Sequence, residues 1–525
     1  MKRNGSVTVT MTLVMMMVMS LLLVTLEHAY VSAGRTLAFQ IFNRSLENVI
    51  GKYWAPLYTE YGIFAVPVGE QMEFEDCEAI EHAVMNTFNY VFEKEEEGNG
   101  LWDYESVSAV VKDTVTPGDE GGAPFISQVK EETKYEGLLY LSAELLEALG
   151  SGGENAGELL DEAKNMIDLD TESVNAGEEE EAEDTEVSED ESDGYEDIWN
   201  TFKTVLCEGV SGLWFDDASS LSKRKLDGDE LPSTNKEDFD SFGGNIWFSE
   251  PDIDESMIDE GDYFDSLVDR DFFAGFAGAV DEAMAAASDR TSLAVYSSLN
   301  MDHYLKDEFT DGAIMYEQEY LVFGNLKDET NVKRMASSLF GIRLIASLIF
   351  LLSDPEIRGI ISAWTAVFDV VPALAELLNM LITVVWAVEN AVVETAALLK
   401  GKSVDFNVSK DSLSVGSGDL LHFTKGFIKN KANDYKGSSE LKLSYGAYLF
   451  LFMFFVPTEK LSYRMMDVIQ ENMKKKYNKD FSIDRCYVGL SVRGDIVSVS
   501  RFFDTGIFGK SRDYITTAES AVYIR

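Results

Sequence analysis

The chain has 525 residues, 46% of them hydrophobic, with 93 acidic against 43 basic side chains and a formal net charge of −50. That length allows two or more domains and a sizeable core, which excludes a chain disordered throughout. The charge excludes nucleic acid as a partner, because such binding draws its affinity from neutralised phosphates. Three widely spaced cysteines, Cys77, Cys207 and Cys486, with no C-x-x-C, support neither a zinc site nor a dense disulfide framework; one bridge stays open, and buried free thiols are the favoured reading.

Lys2 and Arg3 precede an almost charge-free run from Ser6 to Leu26. At 1.5 Å per residue this run crosses a hydrocarbon core about 30 Å thick. It has three readings: a discarded secretory signal with Val31-Ser32-Ala33 as the cleavage candidate, a retained anchor, or a leader cut between Gly5 and Ser6 that leaves the helix in place. An ordinary signal has a shorter apolar region, and Glu27 and His28 intervene before the candidate site, which favours retention. The basic residues lie ahead of the span, so the positive-inside rule puts the N-terminus in the cytoplasm and the bulk outside. The expected segments are a basic leader over 1–5, a transmembrane helix over 6–28 whose partner is membrane lipid, and a stalk helix over 29–55. Leu37, Ile41, Phe42, Leu46, Val49, Ile50, Tyr53 and Trp54 recur at helical steps, a face that reads as core packing, and Pro56 is the expected stop.

Beyond the stalk, "YTEYGIFAV" reads as a short strand and "YESVSAVVKDTVTP" as a second one, followed by a helix over "FISQVKEETKYEGLLYLSAELLEALG". From Ser151 to Glu196 the composition shifts to about twenty acids with almost no base, too polar to offset ordering entropy. The stretch 151–290 is therefore read as an acidic, partly disordered insert. "DGAIMYEQEYLVFGN" reads as a buried strand. Three helices are expected over Lys327–Leu352, Pro355 to about Leu378, and Leu381 to about Lys400; mid-span charges such as Arg343, Glu389 and Glu394 favour a packed soluble bundle over membrane spans. "YGAYLFLFMFFVP" is too short to span and reads as a buried helix, with another helix over "LSYRMMDVIQENMKKKY". The end alternates in period two: "RCYVGLSVRGDIVSVSRFF" reads as a hairpin turning at Gly494-Asp495, and "YITTAESAVYIR" as a last strand.

Chemistry is sparse. There is no H-E-x-x-H, no Walker-type phosphate loop and no G-x-S-x-G elbow, and the four histidines (His28, His82, His303, His422) are isolated. No catalytic residue, cofactor or enzymatic activity is assigned. Asp252, Asp254 and Asp259 are weak calcium candidates, set against the reading of a solvated acidic loop. Arg493, Gly494 and Asp495 spell a tripeptide that integrins recognise, although Gly-Asp is also what a tight turn requires.

The join "KRNG/SVTV" resembles the leader of type IV pilin-like proteins and of Tad/Flp minor pseudopilins, which usually carry glutamate where this chain has Thr10. "EYGIF" (Glu60–Phe64), "YEQEYLVFGN" (Tyr316–Asn325), "WAVENAVVETAALLKGKSV" (Trp386–Val404) and "SYRMMDVIQENM" (Ser462–Met473) together resemble an uncharacterised bacterial membrane-anchored family found beside Tad/Flp pilus loci. The resemblance skips the insert. It implies an envelope address and a pilus or surface assembly, with pilus-assembly proteins as partners, and supplies no mechanism. The expectation is an α+β protein: a membrane helix continuing into a stalk, then a largely helical, discontinuous ectodomain over 56–150 and 291–525 with antiparallel strands including a C-terminal hairpin. Its expected role is a structural or interaction component of such an assembly; the alternatives are a solitary adhesion or calcium-binding surface protein and an envelope hydrolase.

Overall fold

The computed structural model describes residues 4–96, 104–140, 214–215, 220–228, 230–234, 289–306, 308–365, 372–417, 420, 425–438, 442–499 and 513–523. In chain order the first elements are α1 (Asn4–Ile50), α2 (Ala55–Tyr61), β1 (Val66–Pro67), α3 (Cys77–Glu96), β2 (Tyr104–Val115) and α4 (Ala123–Tyr140). Next come α5 (Asp289–Asn300), α6 (Glu317–Phe323), α7 (Asp328–Ser353), α8 (Pro355–Thr365), α9 (Pro372–Leu398), β3 (Val404–Asp405), α10 (Lys425–Asp434) and β4 (Lys442–Leu443). The chain closes with α11 (Tyr445–Met453), α12 (Thr458–Lys476), β5 (Cys486–Tyr487), β6 (Gly489–Val499) and β7 (Asp513–Tyr523). The class is α+β, and it divides into two compact units, 1–128 with 473–525 and 129–472.

The first unit is a layer of helix on a sheet. Strands β2, β6 and β7 form an antiparallel sheet in the order β2-β6-β7. On one face of it lies the C-terminal half of α1, with α3 beside it. Ala38, Ile41, Phe42, Leu46, Val49 and Ile50 on α1 meet Ile80, Val84 and Phe88 on α3 and Ala109, Leu490, Val492, Ile496 and Ala518 from the sheet, all buried. Each large side chain removed from water here contributes about 1.5–3 kcal/mol. The helical spacing read as a core face is thus a core face. Trp54 and Tyr53 are outside α1, which ends at Ile50, and Pro56 does not stop that helix; it stands in the first turn of α2. Proline fits there because the first helical N–H groups lack an intrahelical acceptor anyway.

Two local expectations in this unit are corrected. The first four residues of "YTEYGIFAV", Tyr58 to Tyr61, end the helix α2, which Gly62 closes in the left-handed region (φ 66°), and only Val66–Pro67 pairs as a strand, with Cys486–Tyr487. Proline at the start and glycine after the end bracket a single short helix, a signal that outweighs the aromatic and β-branched content. The Gly494-Asp495 turn is likewise absent: both residues lie in the middle of β6, where Gly494 pairs with Ala109 on one side and Ala518 on the other. A Cβ at position 494 would overlap the Phe42 ring, so this glycine serves close approach of α1 to the sheet. The C-terminal hairpin exists as β6 and β7, with residues 500–512 between them outside the described set.

In the second unit α7 and α9 run antiparallel, as the pairs Arg343–Glu394 and Ser347–Asn390 fix. Three helices stand where three were expected, but α8 ends at Thr365 within the described residues and α9 opens on Pro372, some nine residues ahead of the expected Leu381. Proline again marks an N-terminus. The short apolar stretch is the buried helix α11, capped by Ser444, whose Oγ accepts the Ala447 N–H at 3.2 Å. "YEQEYLVFGN" is not a strand but the helix α6, closed by Gly324 (φ 66°).

Candidate functional site

Two features of the described structure stand apart from ordinary packing. The first is the N-terminal part of α1. From Val7 to Leu26 its large apolar side chains are exposed, Met17 at 74% and Val7 at 65%, and the helix is long and apolar enough to cross a membrane. The hydroxyls within it are turned onto its own backbone: Thr12 Oγ1 donates to the Thr8 carbonyl at 2.7 Å, Ser20 to Met17 at 2.9 Å and Thr25 to Leu22 at 2.8 Å. These bonds satisfy the polar groups without water, as an apolar surrounding demands. Gly5 and Ser6 lie in the first turns of this helix.

The second feature is a buried polar network built on α6 and α12. In α6, Glu317, Gln318, Glu319 and Tyr320 are all buried, and in α12 every residue from Leu461 to Met473 is. Glu317 accepts Asn472 Nδ2 at 2.7 Å and the Asp302 N–H at 2.8 Å. Glu319 Oε1 accepts the Tyr445 hydroxyl at 2.6 Å and the Tyr304 N–H at 2.9 Å, while its Oε2 is buried with no hydrogen-bond partner among the described residues. Tyr320 donates to Asp467 Oδ2 at 2.7 Å, and the Ser233 N–H meets Asp467 Oδ1 at 2.9 Å. Arg464 Nη1 donates to the Leu321 and Val322 carbonyls at 2.6 and 2.7 Å, binding the C-terminal end of α6. Asp328 closes the other side, accepting Ser222 Oγ at 2.6 Å and the Met315 N–H at 2.9 Å.

Burial sets the electrostatics. It pushes the Glu317 and Glu319 carboxyls up to about 7 and Asp467 up to about 6, each against the pull of its hydrogen bonds. Two carboxyls that take a proton near neutrality would suit general acid–base chemistry if a substrate reached them. Here Glu317 is 1% and Glu319 0% exposed. In this arrangement both carboxyls are shut away from solvent, and the bonds of Glu317 to Asn472 and of Tyr320 to Asp467 tie α6 to α12.

The remaining sequence candidates are scattered. Arg493 and Asp495 are partly exposed on the sheet, 3.8 Å apart, with Asp495 also accepting Thr517 Oγ1 at 2.7 Å; they form no exposed loop. Asp252, Asp254 and Asp259 lie outside the described residues, as do Cys207, His422 and most of the acidic insert. His28 and His82 are exposed, and burial lowers the affinity of His303 for its proton. Among the described residues no group of three or more His, Cys, Asp or Glu side chains is placed to hold a metal ion. Cys77 and Cys486 are free; Cys486 is buried and Cys77 half-buried.

The network was not read from the sequence, although both of its helices lie in the stretches quoted for the family resemblance. The available signal was the polar series Arg464, Asp467, Gln470 and Glu471 at helical steps between Leu461, Met465, Val468, Ile469 and Met473. A helix polar on one face is ordinarily solvated there. Only the partners on α6 and the loops around it make that face internal.

Neither a curated protein nor a solved structure is detectably similar to the chain. A sequence family does match, over residues 188–498, which takes in the described elements from α5 to α12, β5 and nearly all of β6, and starts inside the acidic stretch that the resemblance had skipped. The match covers more than half of the chain, so the protein belongs to the family described as a family of unknown function, DUF5702.

Proposed function

We propose that this is a single-pass bacterial envelope protein, with its N-terminus cytoplasmic and its bulk extracytoplasmic, acting as a structural or interaction component of a Tad/Flp-like pilus or a related surface assembly. One observation carries the reading: α1 is a single unbroken helix of 47 residues whose first half exposes apolar side chains and whose second half is buried against a three-stranded sheet. Such a helix joins a lipid-facing segment rigidly to a folded domain, which suits a subunit held in a membrane before it assembles. The basic pair Lys2 and Arg3 supports the cytoplasmic N-terminus. In this reading the buried network of α6 and α12 is a structural element and the protein is not an enzyme.

The test is the N-terminal mass of the protein taken from native membranes. A chain starting at Ser6 supports pseudopilin-like processing and the assembly reading. A chain starting at Met1 supports a plain anchor and a solitary surface protein, and a start near Gly34 overturns the anchored reading.

A further inference from the structure

Within the acidic stretch 151–290, residues 220–228 and 230–234 lie against the second unit as an irregular strap. Leu221, Leu226 and Leu231, five positions apart, are buried, while Lys223, Arg224, Lys225, Asp227 and Glu230 are exposed. The strap is fastened to two buried carboxylates. Near one end Ser222 Oγ donates to Asp328 at 2.6 Å and the Ser222 N–H to the Tyr316 hydroxyl at 3.2 Å. Near the other end the Ser233 N–H donates to Asp467 at 2.9 Å, and Gln470 Nε2 donates to the Glu230 carbonyl at 2.9 Å. Between them Arg224 Nη1 donates to the Gly312 carbonyl at 3.0 Å, and Lys225 faces Lys327 in a single antiparallel bridge.

Three features make this attachment one that can be undone. The surface under the strap is polar at Tyr316, Asp328, Asp467 and Gln470, so water can replace the bonds that the strap makes there. Glu230 is a non-glycine residue held in the left-handed region (φ 63°), and it is held there by the bonds of Gln470 and Ser233 on either side of Leu231. Such strain persists only while the surroundings impose it, and it favours release. The two ends also differ in grip. Ahead of the strap Trp214 and Phe215 are buried, their rings 5.5 Å from Phe340 and 6.1 Å from Tyr304, whereas the far end rests on Leu231, Pro232 and the bonds to Asp467 and Gln470.

We infer that the strap is a latch: it lifts from the second unit while α6, α7 and α12 stay folded, and its opening turns Asp328 and Asp467 from core groups into the wall of a cleft. Closed, both carboxyls are 0% exposed. Local opening of this kind takes place in segments held by few regular hydrogen bonds, and the strap has a single bridge where the helices around it have continuous ladders. The latch therefore decides whether this side of the network is sealed or open to water. The inference goes beyond the membrane and assembly readings and does not rest on them, because every group in it belongs to the second unit.

The experiment uses the full chain in lipid nanodiscs. In the wild type the amides of Ser222, Leu226 and Ser233, each bonded in the closed strap, should exchange hydrogen together and at least about tenfold faster than those of Val468 and Ile469 in α12. A water-soluble carbodiimide with glycinamide should label Asp467 under the same native conditions. A lock supplies the control. Lys225 and Lys327 face each other between the bonds from the Leu226 N–H to the Leu326 carbonyl (2.9 Å) and from the Asp328 N–H to the Arg224 carbonyl (3.1 Å), a pairing whose Cα atoms lie about 4.5 Å apart and can be bridged. Lys225→Cys with Lys327→Cys, in a chain with Cys77→Ser and Cys207→Ser, should when oxidised slow strap exchange and Asp467 labelling by at least about tenfold, and reduction should restore both. Exchange of the three strap amides at the α12 rate, or Asp467 labelling that the oxidised lock leaves unchanged, would overturn the inference and make the strap permanent core. The wild-type exchange decides the matter even if the locked variant does not fold.

Discussion

Helices α1 and α7 are both long and apolar enough to cross a membrane, yet none of the apolar stretch of α1 is buried in the protein and 72% of that of α7 is. Their polar residues explain the difference. In α1 the hydroxyls of Thr12, Ser20 and Thr25 bond to carbonyls of their own helix and ask nothing of a neighbour. In α7, Arg343 donates to Glu394 Oε2 at 2.6 Å and to the Phe406 carbonyl at 3.1 Å, and Ser347 accepts from Asn390 at 2.9 Å, so that helix is completed only by α9 and the chain that follows it. Apolar content permits a membrane span; the demand of the polar groups for partners decides whether the helix stays inside the protein.

The sharpest way to break this comparison is to remove the partner. Glu394→Ala leaves Arg343 buried and unpaired, and should destabilise the second unit by about 3–5 kcal/mol, read as a lowered denaturant midpoint; replacing Arg343 and Glu394 together by methionine and leucine should recover most of that loss. A charge placed in α1 attacks the other side. Val18→Arg should cost about 2.5–3.5 kcal/mol of membrane insertion, read as a larger carbonate-extractable fraction, and leave the unfolding midpoint of the second unit unchanged.

A pH series probes the buried network. Burial foremost raises the affinity of the Glu319 carboxyl for a proton in the fold, to about 7 from an ordinary 4.5. Below about pH 4.5 it is protonated in both states and the stability is fully present; as pH rises to about 7 the unfolded state ionises first, and the stability is lost. The second unit should therefore be more stable at pH 5 than at pH 8, and Glu319→Gln should remove a part of that slope on the order of 2 kcal/mol. The smallest effect is expected in α1: Thr12→Val deletes a hydroxyl already satisfied within the helix and should change neither insertion nor stability by more than about 0.5 kcal/mol.

How much of this was legible follows from the kind of signal each element carries. The face of α1 from Leu37 to Ile50 and the strands β2 and β7 have the period of their structure in their apolar residues, and α11 shows in the length of its continuous apolar run; each was readable. α6 was read as a strand because seven residues are too few to separate the two periods; its helix is set by Gly324 and by Arg464, which lies far away in sequence. Gly494 shows the same limit from the other side. Gly-Asp carries the local signature of a turn, and only Phe42 of α1, more than four hundred positions earlier, reveals that the glycine makes room for a ring. The α6–α12 network was beyond reach for the same reason: its pairs, such as Tyr320 with Asp467 and Glu319 with Tyr445, join residues more than a hundred positions apart.

The central claim is that α1, and not α7, meets the lipid. Its most direct test places a nitroxide label at Val14 in α1 and, separately, at Leu352 in α7, which is 49% exposed, and measures collision with oxygen and with a water-soluble nickel complex in nanodiscs. The account predicts a label at 14 reached by oxygen and shielded from nickel, and a label at 352 reached by nickel. Nickel contact at 14, or lipid-like shielding at 352, would contradict it.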